Sequence, residues 1–356
     1  MHELLGILCE FSLSGTAVMC QKTGAGHINS TYLVQTDKGA RYILQRVNTA
    51  VFKDPQGLMS NIASVTTHIA KKVDSPRQVL HIVNTRDGRL YYTAPDGSVW
   101  RVFDYIEDSV CLQSPDTAAD FYEAAVGFGA FSQQLLDFDA SILCETIPNF
   151  HNTPDRYRIF REVLRRDPLG RAASVQAEID FMLKREAQAS RITKLLQSGE
   201  LPLRVTHNDT KLNNVLLDSV TRKALCVIDL DTVMPGSALF DYGDSIRSGA
   251  ASGREDDRDA CAVSLRLDMF RVFTEGYLRS CPGLTELEKQ LLPLGAFTMT
   301  LECGLRFLTD YIDGDHYFEV SREGHNLDRC RTQIKLVSDM ENNWQQMCDI
   351  VKELTV

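Results

Sequence analysis

The alternation of apolar and polar positions predicts a β-rich segment before residue 105. Short runs with a period of two flank turn sequences such as DKGA at 37–40, and this arrangement is typical of β-hairpins. Between two such hairpins, Asp54 and Pro55 form a helix-start signal, so residues 54–73 are predicted to be helical. The strands of the predicted hairpins lie at residues 32–36 and 41–47, and at residues 90–93 and 99–105.

After residue 105 the apolar residues recur at the three- to four-residue spacing of α-helices. We therefore predict an α+β protein with two lobes and a ligand cleft between them. The predicted N-lobe is small and β-rich (residues 1–105), and the C-lobe is larger and mainly helical (residues 106–356). Predicted helices of the C-lobe cover residues 116–137, 174–197, 257–278, 286–311 and 326–352, and its short strands lie at 204–206, 215–217 and 224–228.

Composition narrows the class of protein. The net charge of −10 argues against a nucleic-acid partner. The chain has neither an N-terminal signal nor an apolar run of about 18 residues, so a cytoplasmic protein without a membrane span is expected. Ten cysteines without a CxxC spacing predict reduced, mostly buried thiols instead of a disulfide framework. The oligomeric state stays open.

The strongest chemical signal is the sequence HNDTKLNN, followed within twenty residues by VIDLD. Phosphoryl transfer from ATP needs a carboxylate that orients the attacking hydroxyl and oxygen ligands that hold Mg²⁺. Asp209 fits the base, while Asn214 and Asp229 fit the metal ligands. Asp231 either contributes to the metal site or only holds its loop. The alternative is that these acids only cap turns in a solvated loop. The combined motif is, however, far more specific than HxD alone.

The sequence GAGHIN precedes the first hairpin. Gly24 and Gly26 would let backbone N–H groups approach the phosphates of a nucleotide. His27 is either a sugar or phosphate contact or an exposed loop histidine. On the third predicted strand, where protein kinases carry a phosphate-binding lysine, this chain offers Gln45 and Arg46 as nucleotide contacts. Strand side chains alternate between faces, so only one of the two can point into the cleft.

These motifs carry a family resemblance. THNDTKLNNVLLD and VIDLDTVMPGSALFDYGDSIR resemble the aminoglycoside phosphotransferase and choline kinase superfamily. GHINSTYLV, RYILQRVN, ECGLRFLTDYIDGD and HNLDRCRTQIKLV extend the resemblance over almost the whole chain, towards the N-acetylhexosamine 1-kinases. The resemblance implies a bilobal protein-kinase-like fold, ATP and Mg²⁺, and phosphorylation of the anomeric hydroxyl of N-acetylglucosamine or N-acetylgalactosamine. It also implies Asp209 as the base, with Asn214 and Asp229 as metal ligands.

A charged stripe on an otherwise apolar predicted helix suggests a polar pocket. Glu302, Arg306 and Asp310 are spaced four apart and share one helix face, which is also the pattern of a solvated salt-bridged surface. Arg306 donates several fixed hydrogen bonds, which suit sugar hydroxyls or an acetamido carbonyl. The resemblance places sugar-binding residues in this segment, so Asp310 and Tyr317 are further substrate candidates.

A neutral sugar fits the composition of this segment better than a quaternary ammonium or a polycation, because the segment mixes charges and lacks tryptophan. Three alternatives stay open. The acceptor could be an amino alcohol, another sugar or an aminoglycoside. The chain could instead be a nucleotide-binding pseudokinase that regulates a partner, or a metal-dependent hydrolase.

Overall fold

The computed structural model describes residues 2–23, 28–115 and 117–355, and it contains the two predicted lobes. The N-lobe is an antiparallel sheet with the strand order β1-β2-β3-β6-β4, in which β5 also pairs with β6. Its strands are β1 (Ala17–Thr23), β2 (Ser30–Thr36), β3 (Arg41–Val47), β4 (Ile82–Val83), β5 (Tyr92–Thr93) and β6 (Val99–Asp104). Its helices are α1 (His2–Leu8) and α2 (Pro55–Ala70).

Local sequence chemistry explains the N-lobe elements. β2 pairs with β3 and β5 pairs with β6, both antiparallel, which confirms the two predicted hairpins. Gly39 and Gly97 lie in the turns with φ of 82°, a conformation that favours glycine. At the start of α2 the side chain of Asp54 accepts a hydrogen bond from the backbone N–H of Gly57, which confirms the predicted helix start.

The C-lobe is mainly helical and carries two small sheets, in the orders β10-β9-β7 and β11-β8. Its strands are β7 (Ser109–Cys111), β8 (Arg204–Thr206), β9 (Val215–Asp218), β10 (Ala224–Val227) and β11 (Met234–Gly236). Its helices are α3 (Ala118–Gln134), α4 (Thr153–Arg166), α5 (Gln176–Ala189), α6 (Arg191–Ser198), α7 (Ala238–Gly249), α8 (Leu267–Ser280), α9 (Glu286–Gln290), α10 (Leu292–Asp313), α11 (His325–Asn342) and α12 (Trp344–Thr355). Because β7 belongs to a C-lobe sheet, we propose that the lobes meet near residue 105.

Several predicted helix boundaries were wrong. The helix predicted from residue 257 starts only at Leu267, because the polar residues before it form a loop in which Asp259 caps a single 3₁₀ turn. The helix predicted at 286–311 is two helices, and Pro293 stands in the first turn of the second one, where its missing N–H costs nothing. The last predicted helix is also divided, between α11 and α12, and α4 and β11 were missed.

Two apolar cores organise the lobes. The larger core fills the C-lobe and continues to α2 and to the facing side of the N-lobe sheet. The smaller core lies between α1 and the other side of that sheet, where Leu44 and Trp100 are buried. The predicted thiols are free, but only Cys226, Cys281 and Cys330 are buried, since several others lie in turns or at strand ends. Within the described ranges, every helix is too short or too polar to cross a membrane.

Helix α7, which follows β11, crosses α10 at very short range. A Cβ atom added to Gly243 on α7 would overlap the carbonyl oxygen of Gly295 on α10. A Cβ atom on Gly295 would lie 2.6 Å from the carbonyl oxygen of Leu239. The two glycines therefore let the helix backbones touch, which fixes the distance between α7 and α10.

We expect Gly243→Ala to lower the free energy of unfolding by about 1–3 kcal/mol, because the new methyl group has no room between the helices. Gly6→Ala is the matched control, since an added Cβ at that helical position meets nothing within 4 Å. Thermal and urea denaturation measure both variants. Equal stability of the two variants would contradict the close helix crossing.

Candidate active site

The predicted chemical motifs form two loops at one end of two antiparallel strand pairs. β8 pairs with β11, and β9 pairs with β10. The first loop, residues 207–214, connects β8 to β9 and is called the HND loop below. The second, residues 228–233, connects β10 to β11 and is called the IDLD loop. The loops lie side by side, and the backbone N–H of Ile228 donates to the carbonyl oxygen of Asn214 at 2.9 Å.

Asp209 and Asn214 are in direct contact within the HND loop. The Asn214 amide nitrogen donates to the backbone oxygen of Asp209 at 2.8 Å and to its Oδ2 atom at 3.1 Å. This pairing leaves the amide oxygen of Asn214 as the atom that can bind a cation. Lys211 Nζ lies 2.8 Å from the other carboxylate oxygen of Asp209. Attraction to Asp209 and then to Asp244 raises the pKa of Lys211, so the ammonium group stays charged.

Asp229 begins the IDLD loop in a left-handed conformation, with φ of 60°. Withdrawal from water within the cleft, followed by repulsion from Asp231 and Asp209, raises the pKa of Asp229 to about 6. Its side chain nevertheless keeps contact with solvent. A carboxylate that is repelled by its neighbours and still accessible is a position where a bound cation lowers the energy.

The donor set fits Mg²⁺. The carboxylate of Asp229 and the amide oxygen of Asn214 are hard ligands, which this ion prefers. Within the described ranges, no group of three or more His, Cys, Asp or Glu side chains forms a metal site by itself. An ion held by Asn214 and Asp229 would therefore need further oxygens, and Mg²⁺ commonly takes these from substrate phosphates and water.

Helix α7 packs against the HND loop and holds it through hydrogen bonds to two buried carboxylates. The buried carboxylate of Asp241 accepts hydrogen bonds from the backbone N–H groups of His207 at 2.8 Å and Asn208 at 2.7 Å. Asp244 accepts one from the N–H of Thr210 at 3.1 Å. Burial raises the pKa of Asp241. At Asp244 burial is the largest single effect and acts in the same direction, but the charges of Arg247 and Lys211 and the hydrogen bond from Arg247 together lower the pKa.

His207 joins the two loops through its buried ring. Its ring is fully buried against Phe128 and Phe131, with ring centroids 5.7 Å and 6.0 Å away. One ring nitrogen lies 2.8 Å from the carbonyl oxygen of Ile228. The histidine therefore joins the HND loop to the IDLD loop and is not exposed to a substrate.

Of the predicted nucleotide-binding residues, Gln45 and Arg46 lie on opposite faces of the N-lobe sheet. Gln45 faces the C-lobe and accepts two hydrogen bonds from Arg101, at 3.0 and 2.8 Å. Arg46 lies on the opposite face of β3, exposed and near the ring of Trp100, so the structure does not bring it to the loops. The candidates Gly24, Gly26 and His27 fall outside the described residues.

Asp231 lies in the IDLD loop, where its Oδ2 atom is hydrogen-bonded and its Oδ1 atom is in an ion pair without hydrogen-bond geometry. Oδ1 is 2.6 Å from an Arg101 nitrogen, and Oδ2 accepts a hydrogen bond of 2.6 Å from the Asn29 side chain. Asp231 is also only 3% exposed. Of the two roles left open for Asp231, these contacts favour the one that holds the loop.

Arg306 lies among three aromatic rings at the far end of α10. Its guanidinium carbon is 5.4 Å from the ring centres of Phe150 and Phe318 and 5.5 Å from that of Tyr317. It also donates to the Tyr317 hydroxyl at 3.2 Å. Tyr317 is 62% exposed, so this cluster opens to solvent.

Asp310 has a different role from the predicted substrate contact. Its carboxylate accepts hydrogen bonds from the backbone N–H groups of His316, Tyr317 and Phe318 and from the side chain of Asn326. All of these bonds lie inside the protein, and Asp310 is 6% exposed. It therefore positions the loop that carries Tyr317.

A cluster of buried polar side chains lies between Arg306 and α7. Glu302 pairs with His151 at 2.7 Å and accepts a hydrogen bond from Thr153 at 2.5 Å. The second ring nitrogen of His151 and the Nε atom of Arg156 are buried without a partner among the described residues. Burial, and then the nearby charge of Arg306, lowers the pKa of Arg156. Arg156 and Arg306 therefore place two positive charges beside the carboxylate of Glu302.

Sequence reasoning missed Lys211, Arg101 and Asn29. Lys211 had a usable signal, because a cation two residues after a candidate base can reach its carboxylate. Arg101 and Asn29 had none that was local, since their partner Asp231 is distant in the chain.

We expect Asp241→Asn to cost about 1–3 kcal/mol of stability, because the new amide group turns its NH2 donor towards one of the two buried backbone N–H groups. Thermal denaturation should show a lower midpoint, and enzyme turnover should fall with it as the HND loop shifts. Asp349→Asn, on the exposed face of α12, is the control. An Asp241→Asn variant with wild-type stability and turnover would show that α7 does not hold the loop.

Comparisons with known proteins agree with this architecture. One solved structure with the same fold is a microcompartment-associated aminopropanol kinase, 19% identical, with 98% of each chain covered and a TM-score of 0.64. Another is an aminoglycoside phosphotransferase from Alicyclobacillus acidocaldarius, 12% identical, covering 98% of this chain and 96% of the other, with a TM-score of 0.63. A third is an amicoumacin kinase in complex with AMP-PNP and Ca²⁺, 12% identical, covering 94% and 92%, with a TM-score of 0.62.

At these identities the structural likeness shows the fold, and it confirms the predicted bilobal kinase-like architecture. The family model described as "phosphotransferase enzyme family" matches residues 20–270, which run from β1 through both loops and into α8. This chain therefore belongs to the phosphotransferase enzyme family, and its predicted class, a kinase-type phosphotransferase, is confirmed.

Proposed function

We propose that this chain uses ATP and Mg²⁺ to phosphorylate the anomeric hydroxyl of an N-acetylhexosamine. The convergence of the HND and IDLD loops is the observation that supports phosphoryl transfer in this proposal. Asp209 contacts Asn214 at 3.1 Å, the Asn214 amide oxygen is left for a cation, and Asp229 is repelled by Asp209 across the same space. These are the parts that phosphoryl transfer requires.

In the proposed reaction, Asp209 orients the acceptor hydroxyl and takes its proton. The new oxygen–phosphorus bond forms as the bond between the terminal phosphorus and ADP breaks, and ADP leaves with the electron pair. Asn214 and Asp229 would hold the Mg²⁺ ion, which neutralises charge on the phosphates. Lys211, at 2.8 Å from Asp209, keeps the carboxylate in one orientation.

The environment of Arg306 supports a neutral acceptor. Its aromatic neighbours could hold an alkylammonium group, but Arg306 already lies among them, and Arg156 adds a second positive charge. A cationic acceptor would be repelled there. The unpartnered polar atoms of His151 and Arg156 would instead be satisfied by sugar hydroxyls or by an acetamido group.

Amino alcohols, aminoglycosides and other sugars remain the alternative acceptors, because the structural neighbours include an aminopropanol kinase and an aminoglycoside phosphotransferase. We further propose that the enzyme acts in the cytoplasm and has a small-molecule substrate. The free thiols are those of a reducing compartment, and the net charge of −10 disfavours nucleic acid as a partner.

We expect phosphate transfer from ATP to N-acetylglucosamine or N-acetylgalactosamine, with the sugar 1-phosphate identified by NMR and mass spectrometry. Asp209→Asn should lower kcat by at least about 10²- to 10⁴-fold, the range typical of a lost general base. The same variant should still bind a non-hydrolysable ATP analogue.

The acceptor panel also includes an amino alcohol and an aminoglycoside, each measured with and without a divalent cation. Product from either of these, and none from any N-acetylhexosamine, would remove the sugar assignment. Full turnover by Asp209→Asn would remove the proposed base.

Arg306→Gln should raise the KM for the sugar while the KM for ATP changes little, because Arg306 lies on the acceptor side of the site. Loss of one charged hydrogen-bonding group corresponds to about 1.5–3 kcal/mol, or roughly a 10- to 150-fold change. Arg331→Gln is the control, since that arginine pairs with Glu178 on the outer surface. Equal effects on both KM values would place Arg306 outside the acceptor pocket.

A further inference from the structure

Arg101 is a buried arginine at the centre of β6. Its side chain is 1% exposed, and it stands directly opposite Gln45 in the pairing of β3 with β6. A buried guanidinium needs charged or polar partners, because the loss of its hydration is otherwise not offset. In protein kinases the corresponding region holds a lysine on the third strand that pairs with a glutamate on the next helix. Here that strand carries Gln45, and residues 55–70 of α2 contain no Asp or Glu.

The partners of Arg101 come from both lobes. Asp231, in the IDLD loop of the C-lobe, lies 2.6 Å away, and Gln45 accepts two hydrogen bonds from the same guanidinium. Gln45 in turn donates to Thr31 on β2 at 3.1 Å. The ion pair therefore ties three strands of the N-lobe sheet to the loop that begins with Asp229.

The second oxygen of Asp231 is held by another part of the N-lobe. It accepts a hydrogen bond of 2.6 Å from Asn29, whose own side-chain oxygen accepts one from the backbone N–H of Asn48 at 2.9 Å. In the sequence, Asn29 closes the GAGHIN segment that contains both candidate phosphate-binding glycines. Through these two contacts, Asp231 connects both Asn29 and strand β6 to the IDLD loop.

We propose that Arg101, Asp231 and Asn29 form an interlobe clasp that positions the Mg²⁺–nucleotide site. Arg101 and Asn29 act through Asp231: they fix the loop that presents Asp229. All three are positioning residues: Asp231 is buried, its Oδ2 atom accepts a hydrogen bond from Asn29, and its Oδ1 atom lies 2.6 Å from Arg101. The clasp takes the place of the strand–helix ion pair that this chain lacks. This inference rests on the proposed function, since it concerns the same nucleotide site.

The test measures binding of Mg²⁺–AMP-PNP by isothermal titration calorimetry, so it needs no acceptor and no turnover. Asn29→Asp puts a second carboxylate against Asp231 and opens the clasp without changing the buried core. It should raise the nucleotide Kd by about 10- to 100-fold, the range typical of lost supporting contacts around a metal site. In the double variant Asn29→Asp with Asp231→Asn, position 29 carries the acceptor and position 231 the donor. The hydrogen bond can then form again, and much of the affinity should be recovered.

A merely structural role for the ion pair is tested by removing both charges. Arg101→Met with Asp231→Leu leaves no unpaired buried charge, so the thermal midpoint should stay close to wild type while the nucleotide Kd still rises about 10- to 100-fold. Arg185→Met with Glu341→Leu, which removes a two-pronged ion pair far from the cleft, is the matched control and should bind nucleotide normally.

In steady-state kinetics the clasp variants should raise the KM for ATP more than the KM for the acceptor. The clasp proposal is overturned if folded Asn29→Asp binds Mg²⁺–AMP-PNP within about twofold of wild type. That result would leave the proposed function standing. Wild-type protein that binds the nucleotide but phosphorylates no acceptor would instead remove the proposed function and leave the clasp, which is measured by binding, intact.

Discussion

The carboxylate of Asp241 accepts hydrogen bonds from two consecutive backbone N–H groups of the HND loop, and this contact fixes the loop on helix α7. The position of α7 is set in turn by its close glycine crossing with α10. Because α10 also carries Glu302 and Arg306, one helix crossing determines the spacing between the proposed base and the proposed acceptor pocket. Buried packing at a distance from the chemistry thus decides its geometry.

Negative charge is concentrated where the two loops meet. Asp209, Asp229 and Asp231 lie close enough to repel one another, and the raised pKa of Asp229 is a consequence. Two cations offset this repulsion, Lys211 at Asp209 and Arg101 at Asp231. Among the residues that the structure describes, Asp229 has no ion pair of its own. It is also the most exposed of the three acids, and a divalent ion would be most strongly held there.

Chains of this fold can differ at most positions, since the solved structures compared are only 12–19% identical to this one. In this chain Arg101 on β6 lies beside Gln45 on β3 and within 2.6 Å of Asp231, because paired residues of two adjacent strands present their side chains to the same face.

The sequence by itself determined the features that depend on local chemistry. Strand alternation and turn residues predicted both N-lobe hairpins, Asp54 predicted the start of α2, and the motif spacing brought Asp209, Asn214 and Asp229 forward as candidates. Helix boundaries were less certain, since a continuous helical pattern does not reveal the breaks beside Leu291 and Asn343.

Tertiary structure alone decided which polar residues are free and which are occupied. Asp231 pairs with Arg101 and Asn29, Asp310 accepts hydrogen bonds from backbone N–H groups, and Arg46 faces away from the cleft. Asn29 and Asp231 are 202 positions apart, so no window of sequence contains their contact. A hydrogen bond depends on distance in space, and only the folded chain sets that distance.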